Sequence, residues 1–138
     1  MVVRYRTEGV NHHGDEWWVE VPGGLRLPVS SPLAADSGGG TNPEQLLAMA
    51  WATCLNATAQ VILAGTRRSS VRVEVALRAA RDRPGFEFDA DAYLAVEGAP
   101  REEAERVLEQ AHARCPVSRL LHGAATVATH TEPYRAAD

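Results

Sequence analysis

The chain has no lysine; all 14 of its basic residues are arginine, set against 18 acidic residues for a net charge of −4. The lack of lysine carries no functional reading, but the lack of a basic excess does. No basic excess is available to meet a run of phosphates, so nucleic acid is not an expected partner. Cysteine is almost absent too, with only Cys54 and Cys115. They form no C-x-x-C pair, and His12, His13, His112, His122 and His130 form no H-x₃-H pair, so neither a metal site nor a cofactor is expected. The adjacent His12 and His13 would point to opposite faces of a strand. The opening Met1-Val2-Val3-Arg4-Tyr5-Arg6 has neither a charged start before an apolar run nor a cleavage site, so no signal peptide is expected. Two cysteines without an export signal point to a reducing, cytoplasmic setting, where a lasting structural disulfide is not expected.

Apolar residues make up 45% of the 138, enough for the core of one domain covering 1–138. Residues 46–64 carry no charge, and 19 such residues raise the question of a membrane span. Thr53, Asn56, Thr58, Gln60 and six alanines argue against one, so no membrane partner is expected. A core helix is the better reading. Asn42 can cap it, Pro43 suits its first position, Gln45 can complete a capping box, and Gly65 can stop it after Ala64. Such a helix is roughly 33 Å long and apolar on nearly all sides. A chain this short can hardly cover it alone, which predicts a homodimer with this helix in a shared core.

Strands flank the helix. Trp17, Val19 and Val21 alternate with Trp18 and Glu20; after Pro22-Gly23-Gly24, Leu25, Leu27 and Val29 alternate with Arg26 and Pro28. That pattern is hairpin-like, with Pro28 suited to an edge or a strand end. Of the two tryptophans, one is expected in the core and one at the surface. Asp36-Ser37-Gly38-Gly39-Gly40 reads as a loop. Val71, Val73, Val75, Leu77 and Ala79 make one face of a strand, and Phe86, Phe88, Ala90, Ala92, Leu94 and Val96 one face of the next, across a turn at Asp82-Arg83-Pro84-Gly85. A second helix from near Pro100 buries Ala104, Val107, Leu108 and Ala111, with Cys115 on the same stripe. Pro116 ends it and can open a short helix over 117–121, stopped by Gly123, and a last strand lies near 125–131. The order β-β-β-α-β-β-α-β describes an α+β fold with helices on one side of mostly antiparallel strands.

Chemistry can live at few places. Cys115 would sit at the lip of the short helix, where backbone N–H groups favour a thiolate. Cys54 lies mid-helix in apolar surroundings that oppose ionisation. By residue type the two thiols read either as a working pair or as two small core residues. Glu44 reads either as a functional acid or as a carboxylate neutralising the helix N-terminus. Ten residues of helix put it roughly 15 Å from Cys54, so any action on that thiol must cross a subunit interface or pass through a linking cation. His112, three residues before Cys115, could influence that thiol, though a solvated place on the helix surface is the simpler reading.

Gly40-Thr41-Asn42-Pro43-Glu44-Gln45-Leu46, then Cys54, then Cys115-Pro116-Val117-Ser118, resembles the OsmC/Ohr family of organic hydroperoxide reductases. The strand pattern on either side agrees, so the resemblance covers nearly the whole chain. It implies an intertwined homodimer with two active sites at the subunit interface. It implies Cys54 as the peroxidatic cysteine, Cys115 as the resolving cysteine and Glu44 as the acid serving the partner's site. The implied reaction reduces an organic hydroperoxide to an alcohol through a Cys54 sulfenic acid and a Cys54–Cys115 disulfide, reset by an external dithiol or lipoyl-type reductant. The two stretches where the family places its thiolate-holding arginine read Asn11-His12-His13-Gly14-Asp15 and Leu33-Ala34-Ala35 here. Neither holds an arginine, which leaves Arg26, His12 and His13 as candidate cations. A non-catalytic dimer of the same fold, acting as a thiol redox sensor or an apolar-ligand binder, is the alternative.

Overall fold

A computed structural model describes residues 1–34 and 38–137. The start of the expected loop, Asp36-Ser37, and Ala35 of the second arginine register lie outside the described residues. The chain divides into two compact units, one ending at Pro43 and the other starting at Glu44.

The first unit is an antiparallel meander of β1 (Val10–His13), β2 (Trp17–Glu20) and β3 (Arg26–Pro28). Its turn follows the Pro22-Gly23-Gly24 expectation. Val21 N–H bonds Leu25 O at 2.8 Å, and Gly23 takes a positive φ of 76° that suits glycine. Pro28 ends β3 at the sheet edge, where its missing N–H costs no ladder bond. Trp17 and Trp18 are both half-buried rather than divided between core and surface. Each meets a histidine of β1, Trp18 stacked on His12 and Trp17 tilted against His13, because the register pairs them across the strands. After β3 the chain returns to the same edge: Thr41 N–H bonds Pro28 O at 2.8 Å and Ser30 N–H bonds Thr41 O at 2.9 Å. Gly40 is forced by this closeness, since a Cβ there would meet Ser30 N and Val29 C at 2.8 Å.

The second unit carries α1 (Pro43–Leu63) from its second residue onward, β4 (Ser69–Ala79), β5 (Phe86–Val96), α2 (Arg101–Arg114), α3 (Pro116–Leu120) and β6 (Val127–Thr131). Helix α1 starts at Pro43 as expected but ends one residue early. Ala64 adopts a φ of 51° and Gly65 one of 67°, so the left-handed turn begins on alanine, at a cost of roughly 1–2 kcal/mol for its Cβ. Two of the polar residues that argued against a membrane span, Asn56 and Gln60, tie α1 to β4. Ser69 Oγ donates to Asn56 Oδ1 at 2.7 Å and accepts from Gln60 Nε2 at 2.6 Å.

Strand β4 pairs antiparallel with β5, setting Val71, Val73 and Val75 opposite Leu94, Ala92 and Ala90 on the core face. Strand β6 pairs with β5 in parallel, which the expectation of mostly antiparallel strands did not single out. The α2–α3 connection carries the chain across so that β6 runs in the direction of β5. The core gathers Trp51, Leu55, Ala59 and Leu63 of α1, the β5 face, and Ala104, Val107, Leu108, Ala111 and Cys115. The α1 residues recur every four positions, so one stripe of that helix is buried. Elsewhere on it, Met49 and Val61 are 52% and 65% exposed. By length and composition α1 could cross a membrane; one of its faces is packed into the core.

Candidate functional site

The two cysteines, far apart in sequence, come together in the second unit. Cys54 lies midway along α1 and packs against the core cluster that contains Cys115. Both are free thiols. Cys115 is fully buried, whereas Cys54 is half-buried.

Sequence and geometry agree on why Cys115 stands where it does. Pro116 cannot continue α2, so the chain breaks at Cys115, which takes an extended φ, ψ of −64°, 124° and becomes the N-cap of α3. Its sulfur accepts the N–H of Ser118 at 3.5 Å, as a serine oxygen does at an ordinary N-cap. Its own N–H bonds Ala111 O at 2.8 Å, closing α2. The neighbouring N–H, that of Val117, favours the Cys54 thiolate. One tight turn therefore addresses both sulfurs.

The Cys54 thiol is pushed above its ordinary pKa, first by burial and then by the adjacent Cys115 thiol, while the Val117 N–H pulls it down. No arginine or histidine figures among these influences.

A third contact links the two thiol-bearing elements. Trp51 Nε1 donates to Ser118 Oγ at 2.9 Å, with Trp51 0% and Ser118 1% exposed. Sequence reasoning passed over Trp51. The available signal was a tryptophan, whose N–H needs a partner when buried, three residues before a cysteine in an otherwise aliphatic helix.

Glu44 occupies the first turn of α1, roughly 15 Å along the helix from Cys54, and does not join the dithiol within the second unit. Its Oε2 is shielded from solvent and has no hydrogen-bond partner among the described residues. His12, His13 and Arg26 belong to the first unit. His12 stacks on Trp18 and faces Glu20 at 3.6 Å, and the Arg26 guanidinium lies 4.4 Å from the Trp18 ring centroid. His112 departs from the solvated expectation. Its Nδ1 is shielded and unpartnered among the described residues, and it lines a cavity of about 660 Å³ with Ser118, Arg119 and His122. Among the described residues no cluster of histidine, cysteine and acidic side chains could hold a metal.

A sheet backed by a long apolar helix, with two adjacent free thiols at its centre, defines a dithiol protein of α+β fold. The chain belongs to the OsmC-like protein family, whose model matches residues 36–130. It is 33% identical over 129 residues to organic hydroperoxide resistance protein-like 1 of Staphylococcus epidermidis, covering 89% of this chain and 91% of that protein. It is 31% identical over 130 residues to the protein of the same name from Staphylococcus saprophyticus, covering 89% and 92%. Among solved structures it is similar to the organic hydroperoxide resistance protein OsmC of Legionella pneumophila, with a TM-score of 0.80, 28% identity and coverage of 95% and 99%. The organic hydroperoxide resistance protein OhrB of Bacillus subtilis shares the fold, with a TM-score of 0.84 at 24% identity and coverage of 94% and 100%.

Proposed function

We propose that this protein is a cysteine-based peroxidase that reduces organic hydroperoxides to alcohols. The observation that carries the reading is the packing of Cys54 against the cluster that holds Cys115 at the α2–α3 break, where the Ser118 N–H bonds the Cys115 sulfur. Two inert core cysteines would not need that arrangement. Membership of the OsmC-like family and relatives named organic hydroperoxide resistance proteins support it.

The half-buried Cys54 is the sulfur a peroxide can reach, so it takes the peroxidatic role. Its thiolate attacks an oxygen of the O–O bond; a sulfur–oxygen bond forms, the O–O bond breaks, and the alkoxide leaves and is protonated to an alcohol. Cys115 then attacks the sulfenic acid sulfur. A disulfide forms and water departs. An external dithiol, of which a lipoyl group is one chemical form, exchanges with that disulfide and returns both thiols. The apolar core cluster against which Cys54 packs favours alkyl or lipid-like hydroperoxides over hydrogen peroxide. Two cysteines that act as a redox pair rather than as a lasting structural bridge suit a reducing, cytoplasmic setting.

A homodimer completes the reading. The exposed apolar face of α1, with Met49 and Val61, supports a second copy packed along that helix. The unpartnered Oε2 of Glu44 supports a donor arriving from the second copy, an arginine or a protonated histidine that pairs with the carboxylate.

The test is dithiol-dependent consumption of cumene hydroperoxide and tert-butyl hydroperoxide, run beside hydrogen peroxide. Multiple turnovers that favour the organic substrates and vanish in Cys54→Ser are expected. Stoichiometric oxidation without turnover would instead make the protein a thiol sensor.

A further inference from the structure

The Trp51–Ser118 hydrogen bond joins residues 67 positions apart, and its two side chains are 0% and 1% exposed. A buried polar pair costs desolvation that an aliphatic pair would avoid, so its directionality is what distinguishes it. Its placement is specific. Trp51 precedes Cys54 by three residues on α1, one turn away on adjoining sides of the helix. Ser118 follows Cys115 by three residues on α3, and the backbone N–H of the same serine bonds the Cys115 sulfur at 3.5 Å. Ser118 thus holds Cys115 through its backbone and α1 through its side chain. The two elements that carry the thiols are tied together one turn from each sulfur.

We propose that Trp51 and Ser118 are positioning residues for disulfide closure, holding the Cys115 sulfur within bonding reach of the Cys54 sulfur. This inference rests on the peroxidase reading above. The step they serve is the attack of the Cys115 thiolate on the Cys54 sulfenic acid. The S–S bond forms and the S–O bond breaks. Hydroxide leaves and takes a proton to become water; the Cys54 sulfur is reduced and the Cys115 sulfur oxidised. That attack needs the two sulfurs in line at short range, and a misplacement of about 1 Å can cost on the order of a hundredfold in rate. Attack on the peroxide needs only Cys54 and its access to solvent. Loss of the tie therefore falls on the second step.

The experiment compares the wild-type protein with Ser118→Ala and Trp51→Phe, each checked for native circular dichroism. One equivalent of tert-butyl hydroperoxide is added, and acid-quenched samples are resolved by mass spectrometry into thiol, sulfenic acid and disulfide. In both variants the rate of disulfide formation is expected to fall about tenfold relative to the rate of Cys54 oxidation, the scale of one lost buried hydrogen bond. Sulfenic acid should accumulate and advance to sulfinic acid under excess peroxide. Equal slowing of both steps, or slowing of neither, overturns the proposal.

A second measurement separates this from the peroxidase reading. The disulfide is formed with diamide and equilibrated against a glutathione redox buffer, with no peroxide present. The tie predicts that the Cys54–Cys115 disulfide forms about tenfold less favourably in each variant; an unchanged equilibrium constant overturns it. If the wild-type protein cycles with diamide but not with any hydroperoxide, the peroxidase reading fails and this equilibrium still decides the role of the tie.

Discussion

The sulfur of Cys115 accepts the backbone N–H of Ser118 at 3.5 Å, so a redox-capable thiol stands where a helix ordinarily keeps a serine or an aspartate. A cap and a nucleophile ask for the same thing, N–H groups pointed at an electron-rich atom. The break imposed by Pro116 supplies both.

The shared role makes Cys115→Ser and Cys115→Ala differ. Serine keeps the cap, whereas alanine loses it at about 1 kcal/mol, readable as a lower urea midpoint. Both variants should leave Cys54 able to form a sulfenic acid that dimedone traps, with no intramolecular disulfide. Dimedone found on Cys115 in the wild-type protein would reverse the assigned roles.

Cys54 is pushed above the ordinary thiol pKa, chiefly by burial. A raised pKa keeps the thiol protonated at neutral pH, so the thiolate fraction grows as pH rises through and beyond about 8.5. The rate of Cys54 alkylation by iodoacetamide, followed on its peptide, should have a midpoint above that value. A midpoint below it would mean that a cation brought by a second copy reaches the sulfur and outweighs burial.

Gly40 has no room for a side chain, because its Cβ would overlap the Val29–Ser30 backbone. Gly40→Ala should destabilise the first unit by about 1–3 kcal/mol, since backbone cannot swing aside as a side chain can. A hydrogen-exchange comparison should localise the loss to the amides of Ser30 and Thr41, which bond across this contact.

Ala64 offers the opposite case. Its φ of 51° strains a Cβ-bearing residue, and glycine is already used one position on. Ala64→Gly should stabilise the protein by about 0.5–1 kcal/mol, the relief of strain exceeding the entropy glycine adds to the unfolded chain. A thermal midpoint that falls instead would show the left-handed turn to be unstrained.

Much of this architecture could be read from residue patterns. Pro43, Pro116 and Gly123 mark element ends because each alters a backbone constraint locally. The alternation of 71–79 with 86–96 gave the β4–β5 hairpin, whose core face runs over 71–75 and 90–96, whereas Phe86 at the turn end is 62% exposed. The parallel β5–β6 pairing was not legible, since a helical connection leaves the direction of return open. Both tryptophans of β2 came out half-buried because the cross-strand histidines, not the alternation, decide what covers them. For the site, the Cys-Pro junction pointed to Cys115 as a cap. The Trp51–Ser118 bond was out of reach, because it joins two elements whose approach only the fold determines.

The central claim is that Cys54 and Cys115 form one redox unit. Peptide mapping after one equivalent of cumene hydroperoxide, under denaturing acid quench, tests it most directly. The account predicts one Cys54–Cys115 disulfide within each chain, reversed by dithiothreitol. Oxidation confined to Cys54 with Cys115 still a thiol, or bridges only between chains, would contradict it.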